Sequence, residues 1–210
     1  VTSTSSCAEG LPGLVNHLAQ VINPMLFFFL RRDCSALGLV PPSKESLFPP
    51  FRKMVRSMYH SLHLDPTRDR PSSEKLLRRF NRDGSLPRID PIVDLWNDWS
   101  LVSGLPLSLL DADAVTPPLS LRLGSEGLTY PVSGMDAFPL AGRPVLFDAR
   151  GPLGNPTRDS LRGLARPQSS RFLVLIYRPR DTEAEPPPLP DLPSGLYALP
   201  VSTPEHPDLR

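Results

Sequence analysis

The side chains in this chain that could do chemistry are carboxylates, amides and guanidinium groups, and they concentrate in two places. Asp90, Asp94, Asp98, Asp111 and Asp113 crowd one stretch, with Asn97 among them, and Asp159-Ser160 sits in a long polar segment from Ala149 to Arg171. A serine beside a carboxylate has the residue types of an activated nucleophile, but no histidine lies nearby in sequence to take its proton. The five clustered aspartates read as helix caps and surface charge. No GxSxG elbow, glycine-rich phosphate loop, HExxH helix or paired CxxC occurs. His60 and His63 stand three residues apart without a third ligand, so neither a metal nor another cofactor is expected. Two cysteines, Cys7 and Cys34, are too few for a disulfide framework, which makes a reduced, cytoplasmic setting the default.

Cations supply the second chemical signal. Over 210 residues the net charge is only +1, so contact with nucleic acid has to come from a local patch. Arg52, Lys53, Arg56, His60 and His63 fall on one face of a helical pattern, and Lys75, Arg78, Arg79 and Arg82 on one face of the next. Such runs are ordinarily solvated surface, yet phosphate binding needs several cations presented together, as here.

The elements that must position these groups are marked by 28 prolines, placed mostly at element boundaries and toward the C-terminus. Apolar spacing predicts a helix over Pro12 to Asn23. The run Pro24 to Leu30 reads as a buried strand or a core helix, too short to cross a bilayer. No basic region precedes it, so a secretory leader is not expected. A helix follows over Phe51 to His63. After the Asp65–Pro71 loop, Ser72 or Ser73 caps another, with Glu74 in its first turn and Leu76, Leu77 and Phe80 facing inward. Asp90 caps a third, with Pro91 at its first position, Ile92, Leu95, Trp96, Trp99 and Val102 as its buried stripe, and Gly104 at its end.

Beyond Asp111 the pattern turns to strands. Leu119 to Leu123 alternates and reads as a hairpin through Gly124–Gly127 with Leu128-Thr-Tyr-Pro. Pro144 to Asp148 is another strand, and Phe172 to Tyr177 is apolar on both faces, as a covered strand is. Gly195 to Val201 offers an edge strand after a proline-rich spacer. Helices first and strands after predict a single α+β domain, helices packed on a mixed or antiparallel sheet. Its parts are an N-terminal extension at 1–64, a core at 65–180 and a proline-rich tail at 181–210.

The segment Leu86 to Tyr177 resembles the editing module, the B-three/B-four domain, of the bacterial phenylalanyl-tRNA synthetase beta subunit. The residues that carry this are Pro87-Arg-Ile-Asp-Pro-Ile-Val-Asp-Leu-Trp-Asn97, Gly104-Leu-Pro-Leu-Ser-Leu-Leu-Asp111, Leu121-Arg-Leu, Val145-Leu-Phe-Asp148 and Leu173-Val-Leu-Ile, in that order. The upstream Asp65-Pro-Thr-Arg and Ser72-Ser-Glu-Lys-Leu-Leu-Arg-Arg resemble free-standing proteins that carry the module alone. The resemblance implies hydrolysis of a mischarged aminoacyl ester at a tRNA 3′ end, water attacking with help from the substrate's own ribose hydroxyl. Positioning and a polarised carbonyl then matter more than a strong protein base.

Carried over residue by residue, the resemblance makes Asn97 and Ser108 the catalytic candidates. Ser108 stands where the family has a histidine, in the turn before Asp111, and Trp96 where it has a threonine. Arg162 falls where the family glutamate reads the tyrosine hydroxyl, and a cation cannot select that phenol. Either Asp159 serves in its place or the substrate differs. Trp96, Asp148, Asp159, Ser160 and Arg162 are the implied substrate contacts, and the cations of the two basic faces the tRNA contacts. A binding module that has lost hydrolysis and an aminoacyl transfer enzyme are the alternatives.

Overall fold

Proline and glycine set the ends of the helices, and the apolar face between each pair of ends sets how it packs. The computed structural model describes residues 21–30, 42–43, 47, 51–180, 185 and 197–199. Helix α1 (Arg52–Ser61) buries Val55, Met58 and Tyr59 together with the flanking Phe51 and Leu62. Helix α2 (Ser72–Asp83) ends at Gly84, whose φ of 75° is the left-handed conformation that glycine adopts without a Cβ penalty. Helix α3 (Pro91–Ser103) starts where the Asp90 carboxylate accepts the Ile92 N–H at 3.0 Å and stops at Gly104, φ 79°.

Two expectations for these helices need correction. The N-cap of α2 is Pro71, and neither Ser72 nor Ser73 caps with its side chain. The first helical N–H is held from outside the helix, Ser72 N donating to Pro156 O at 2.8 Å. The buried side of α3 is also broader than the apolar stripe, taking in Asp94, Asp98, Ser100 and Leu101 while Leu95 and Val102 are only partly covered. Asp94 is a second cap, accepting Ile89 N at 2.9 Å, and Asp98 is held by Arg88 at 2.7 Å rather than lying on the surface.

The helices pack on antiparallel strands. One sheet has the order β2-β8-β1-β9: Leu107–Asp111, Arg171–Pro179, Ile22–Leu30 and Tyr197–Leu199. Strand β8 is flanked on both sides and covered on both faces, which explains its unbroken apolar run. The run Pro24 to Leu30 is therefore a strand, and Ile22 and Asn23 already belong to it. The rest of the helix expected over Pro12 to Asn23 lies outside the described residues, apart from Val21. The edge strand expected over Gly195 to Val201 is β9, beside β1. The proline-rich spacer at 186–193 lies outside the described residues.

A second sheet has the order β3-β6-β7, Ser120–Leu123, Pro144–Asp148 and Gly151–Gly154, and β4 (Thr129–Val132) pairs with β5 (Met135–Pro139). The hairpin expected between Leu119–Leu123 and Leu128–Pro131 is not formed. β3 pairs with β6, and β4 turns back on β5 at Ser133-Gly134. Ser108 likewise is no turn residue: it lies within β2, opposite Leu175. The architecture is α+β, as the order of elements requires.

Candidate functional site

The outer edge of β2 is where the site is built, and the segment 155–165 runs along it. Asp111 N donates to Gly163 O, Ala165 N to Leu109 O, and Leu110 bridges Leu164. Upstream, Asn155 folds the chain on itself, its side-chain Oδ1 accepting Thr157 N at 2.7 Å and Arg158 N at 2.8 Å. Three side chains clamp this turn from outside. Tyr59 Oη lies 2.9 Å from Thr157 Oγ1, Tyr130 donates to Arg158 O at 2.6 Å, and Lys75 Nζ donates to Thr157 O at 2.8 Å.

The purpose of the clamp is the placement of Asp159. Its carboxyl is enclosed and accepts the Ser108 hydroxyl at 2.5 Å together with the backbone N–H groups of Leu109 and Asn155. Ser108 has one proton to give, so Tyr177, 2.9 Å away, is the donor to Ser108 Oγ. The chain is Tyr177 to Ser108 to Asp159. Burial pushes the Asp159 acid up to about 7, and the hydrogen bonds and the Lys75 ammonium offset only part of that. Burial also brings the Lys75 ammonium down to about 8, helped by Arg158 and Arg70. Gly154 makes room for this arrangement: a Cβ there would collide with Asp159 Oδ1 and stand 2.9 Å from Ser108 Oγ.

Asp159 faces a hollow of about 290 Å³ between α3, β2 and the start of α2. Val93, Trp96, Leu107 and Leu109 give it an apolar wall; Asn97, Asn155, Arg158 and Ser72 give it polar groups. An acceptor carboxyl at one point, donors at others and an apolar wall between them suit a small amphoteric molecule such as an amino acid derivative. A larger hollow of about 420 Å³ lies between α1 and the end of β8. It carries Lys53, Arg180, Ser57 and Ser61 and, among the described residues, no carboxyl group, which makes the smaller hollow the better candidate.

The residues singled out from the sequence divide accordingly. Trp96, Asn97 and Asp159 line one cavity, with Trp96 fully buried and edge-on to Trp99 at 6.0 Å. Ser108 is completely buried and does not line it; it acts on the cavity through Asp159. Asp148 and Arg162 are elsewhere, joined to each other by two bonds of 2.9 Å. Arg162 also donates to Gly151 O, Pro152 O and Ala114 O, and Asp148 accepts Thr116 N and Arg150 N. That pair ties β6, β7 and the loop together. Ser160, buried, accepts Arg162 N within the same turn.

Among the basic residues, Arg52, Lys53, Arg78, Arg79 and Arg82 are exposed. Arg56 is bound inward to Glu74 at 2.9 Å, and Lys75 turns toward the Asn155 turn instead of sharing the outward face. Ser72, Asn155, Arg158 and Tyr177 were not reached from the sequence. The legible signal for Asn155 was Gly-Asn-Pro-Thr at 154–157, a turn whose Asn side chain organises the backbone after it. Among the described residues no group of three His, Cys, Asp or Glu could hold a metal ion, and no helix is long and apolar enough to cross a membrane.

Comparison with known proteins points to a class: residues 55–155, just under half of the chain, match the family model of the B3/4 domain, so this stretch is similar to B3/4 domains. Among solved structures it is similar to an N-terminal fragment of the phenylalanyl-tRNA synthetase beta subunit from Pyrococcus horikoshii. That likeness has 14% identity and a TM-score of 0.38, covering 44% of this chain and 36% of that one. The chain thus spans little more than a third of the fragment it resembles. No curated protein matches it in sequence.

Proposed function

We propose that this protein is an aminoacyl-tRNA trans-editing deacylase, hydrolysing a mischarged aminoacyl ester at the tRNA 3′ end in the cytoplasm. The observation that carries the reading is the cavity itself: in a B3/B4-like chain, Asn97 and the enclosed Asp159 face the same hollow, with Trp96 between apolar neighbours as its wall. Residues 65–180 form the working unit, with 1–64 and 181–210 as its extensions. The amide of Asn97 both donates and accepts, so it suits the ester or the ribose. Asp159 takes the place of the carboxylate that Arg162 does not supply, accepting a proton or hydrogen bond from the bound aminoacyl group. Ser108 is a positioning residue that holds Asp159. Water held against the ester, aided by the adjacent ribose hydroxyl, completes hydrolysis without a protein nucleophile.

Deacylation of a panel of mischarged tRNAs is the test. Release of the free amino acid from at least one, lost on Asn97→Ala or Asp159→Asn, is expected; no release above the buffer rate from any member overturns the reading. One observation favours a non-catalytic binding module instead: the hydroxyl at 108 is enclosed behind Asp159 and touches no part of the cavity. Saturable binding of an aminoacyl adenosine without turnover would decide for it.

A further inference from the structure

Asn155 is 1% exposed, and its amide is divided between two duties. The oxygen accepts two backbone N–H groups, which fixes which end of the amide is oxygen and which nitrogen. The nitrogen is buried and has no partner among the described residues. A buried donor left so costs the full loss of its hydration, and native structures rarely tolerate it without a reason. Asn155 lines the cavity beside Asp159, and so does Ser72, whose Oγ is also buried without a partner among the described residues. Ser72 opens α2, a helix of 12 residues, so the positive end of its dipole meets the same place. Arg158 lines the cavity beside them.

We propose that Asn155 Nδ2 and Ser72 Oγ, at the N-terminal end of α2, form an oxyanion subsite that binds a carbonyl or carboxylate oxygen of the ligand. Asp159, beside Asn155 in the cavity wall, is the complementary acceptor. On the deacylase reading the subsite takes the ester carbonyl and stabilises the charge that develops on its oxygen as water adds. Taken without that reading, the same donors hold the carboxylate of a free amino acid.

Two measurements separate these. In the first, the side-chain amide resonance of Asn155, identified by its absence in Asn155→Asp, is followed by NMR in the wild-type protein. The probes are 3′-amide-linked aminoacyl adenosines and free L-amino acids. A shift with either class is expected, and no shift with both overturns the subsite. In the second, turnover is compared on whichever tRNA is deacylated. Asn155→Asp keeps an acceptor oxygen for the turn and removes the donor, so kcat, read on folded protein well below the variant's thermal midpoint, should fall by roughly 10²-fold with little change in KM. Ser72→Ala should show a smaller fall of the same kind. Wild-type kcat in Asn155→Asp overturns the subsite and leaves the deacylase reading standing. A shift with free amino acids alone, with no tRNA hydrolysed, does the reverse.

Discussion

An enclosed carboxyl group whose acid lies near 7 changes charge around neutral pH, and Asp159 is that group. Below its ordinary value of 3.8 it is protonated whether the chain is folded or not. As pH rises from about 4 to about 7 the unfolded chain gives up the proton while the folded one keeps it, so the stability present at low pH is progressively lost. Asn at this position never ionises, although its single side-chain oxygen accepts only part of the hydrogen bonds that the carboxyl does. Asp159→Asn should therefore gain in thermal midpoint over the wild type as pH rises through this window, and the gain should level off above about 7. At about 1.4 kcal/mol per pH unit of displacement the full span is on the order of a few kcal/mol. Parallel midpoint curves for the two proteins would mean that Asp159 keeps an ordinary acidity. Activity should move the other way in the wild type, rising with pH as the acceptor carboxylate forms. This residue was visible in the sequence only as half of an Asp-Ser pair. Its enclosure depends on Ser108, 51 residues away, and no local pattern reports that.

Among elements, β2 and the segment beside it carry the site, and here the sequence was least transparent. Caps and stops were readable because they are local: Asp90 with Pro91, Gly84 and Gly104 each act within a few residues. Pairing was not, because Gly124-Ser-Glu-Gly suits a hairpin that the register of β3 with β6 forecloses. The pair Asp148 and Arg162 shows the same limit: two residues that look like ligand contacts satisfy one another across β6, β7 and the loop. The tightest junction is Gly154 at the end of β7, which leaves just enough room for the Ser108–Asp159 bond. Gly154→Ala should push the two side chains apart, costing about 1–3 kcal/mol as overpacked sites do. Asp159 would lose its hydroxyl partner, and activity should fall more steeply than stability. Denaturant unfolding together with turnover checks this; a variant of wild-type stability would show that the loop yields without strain.

At the scale of the whole molecule, a net charge of +1 cannot steer a polyanion, so tRNA binding has to rest on where the cations stand. Their partners sort them. Arg56 is committed to Glu74 and Lys75 to the Asn155 turn, so replacing either should lower stability and disturb the cavity before it weakens any RNA contact. Arg78 and Arg79 are exposed on α2, and among the described residues Arg79 has only a distant Asp83 at 3.9 Å. The start of α2 borders the cavity, so a tRNA end seated there would pass its backbone along the same helix. The double variant Arg78→Ala/Arg79→Ala should weaken binding of all tRNAs alike and leave kcat at saturation unchanged. Each phosphate contact contributes about 0.7 to 0.9 to the slope of log affinity against log salt. The slope should therefore become shallower by about 1.4 to 1.8, whereas Asn97→Ala should leave it as it was. A salt titration of tRNA affinity on the three proteins separates the cases. An unaltered slope in the double variant, with hydrolysis intact, would mean that the nucleic acid reaches this cavity over another face.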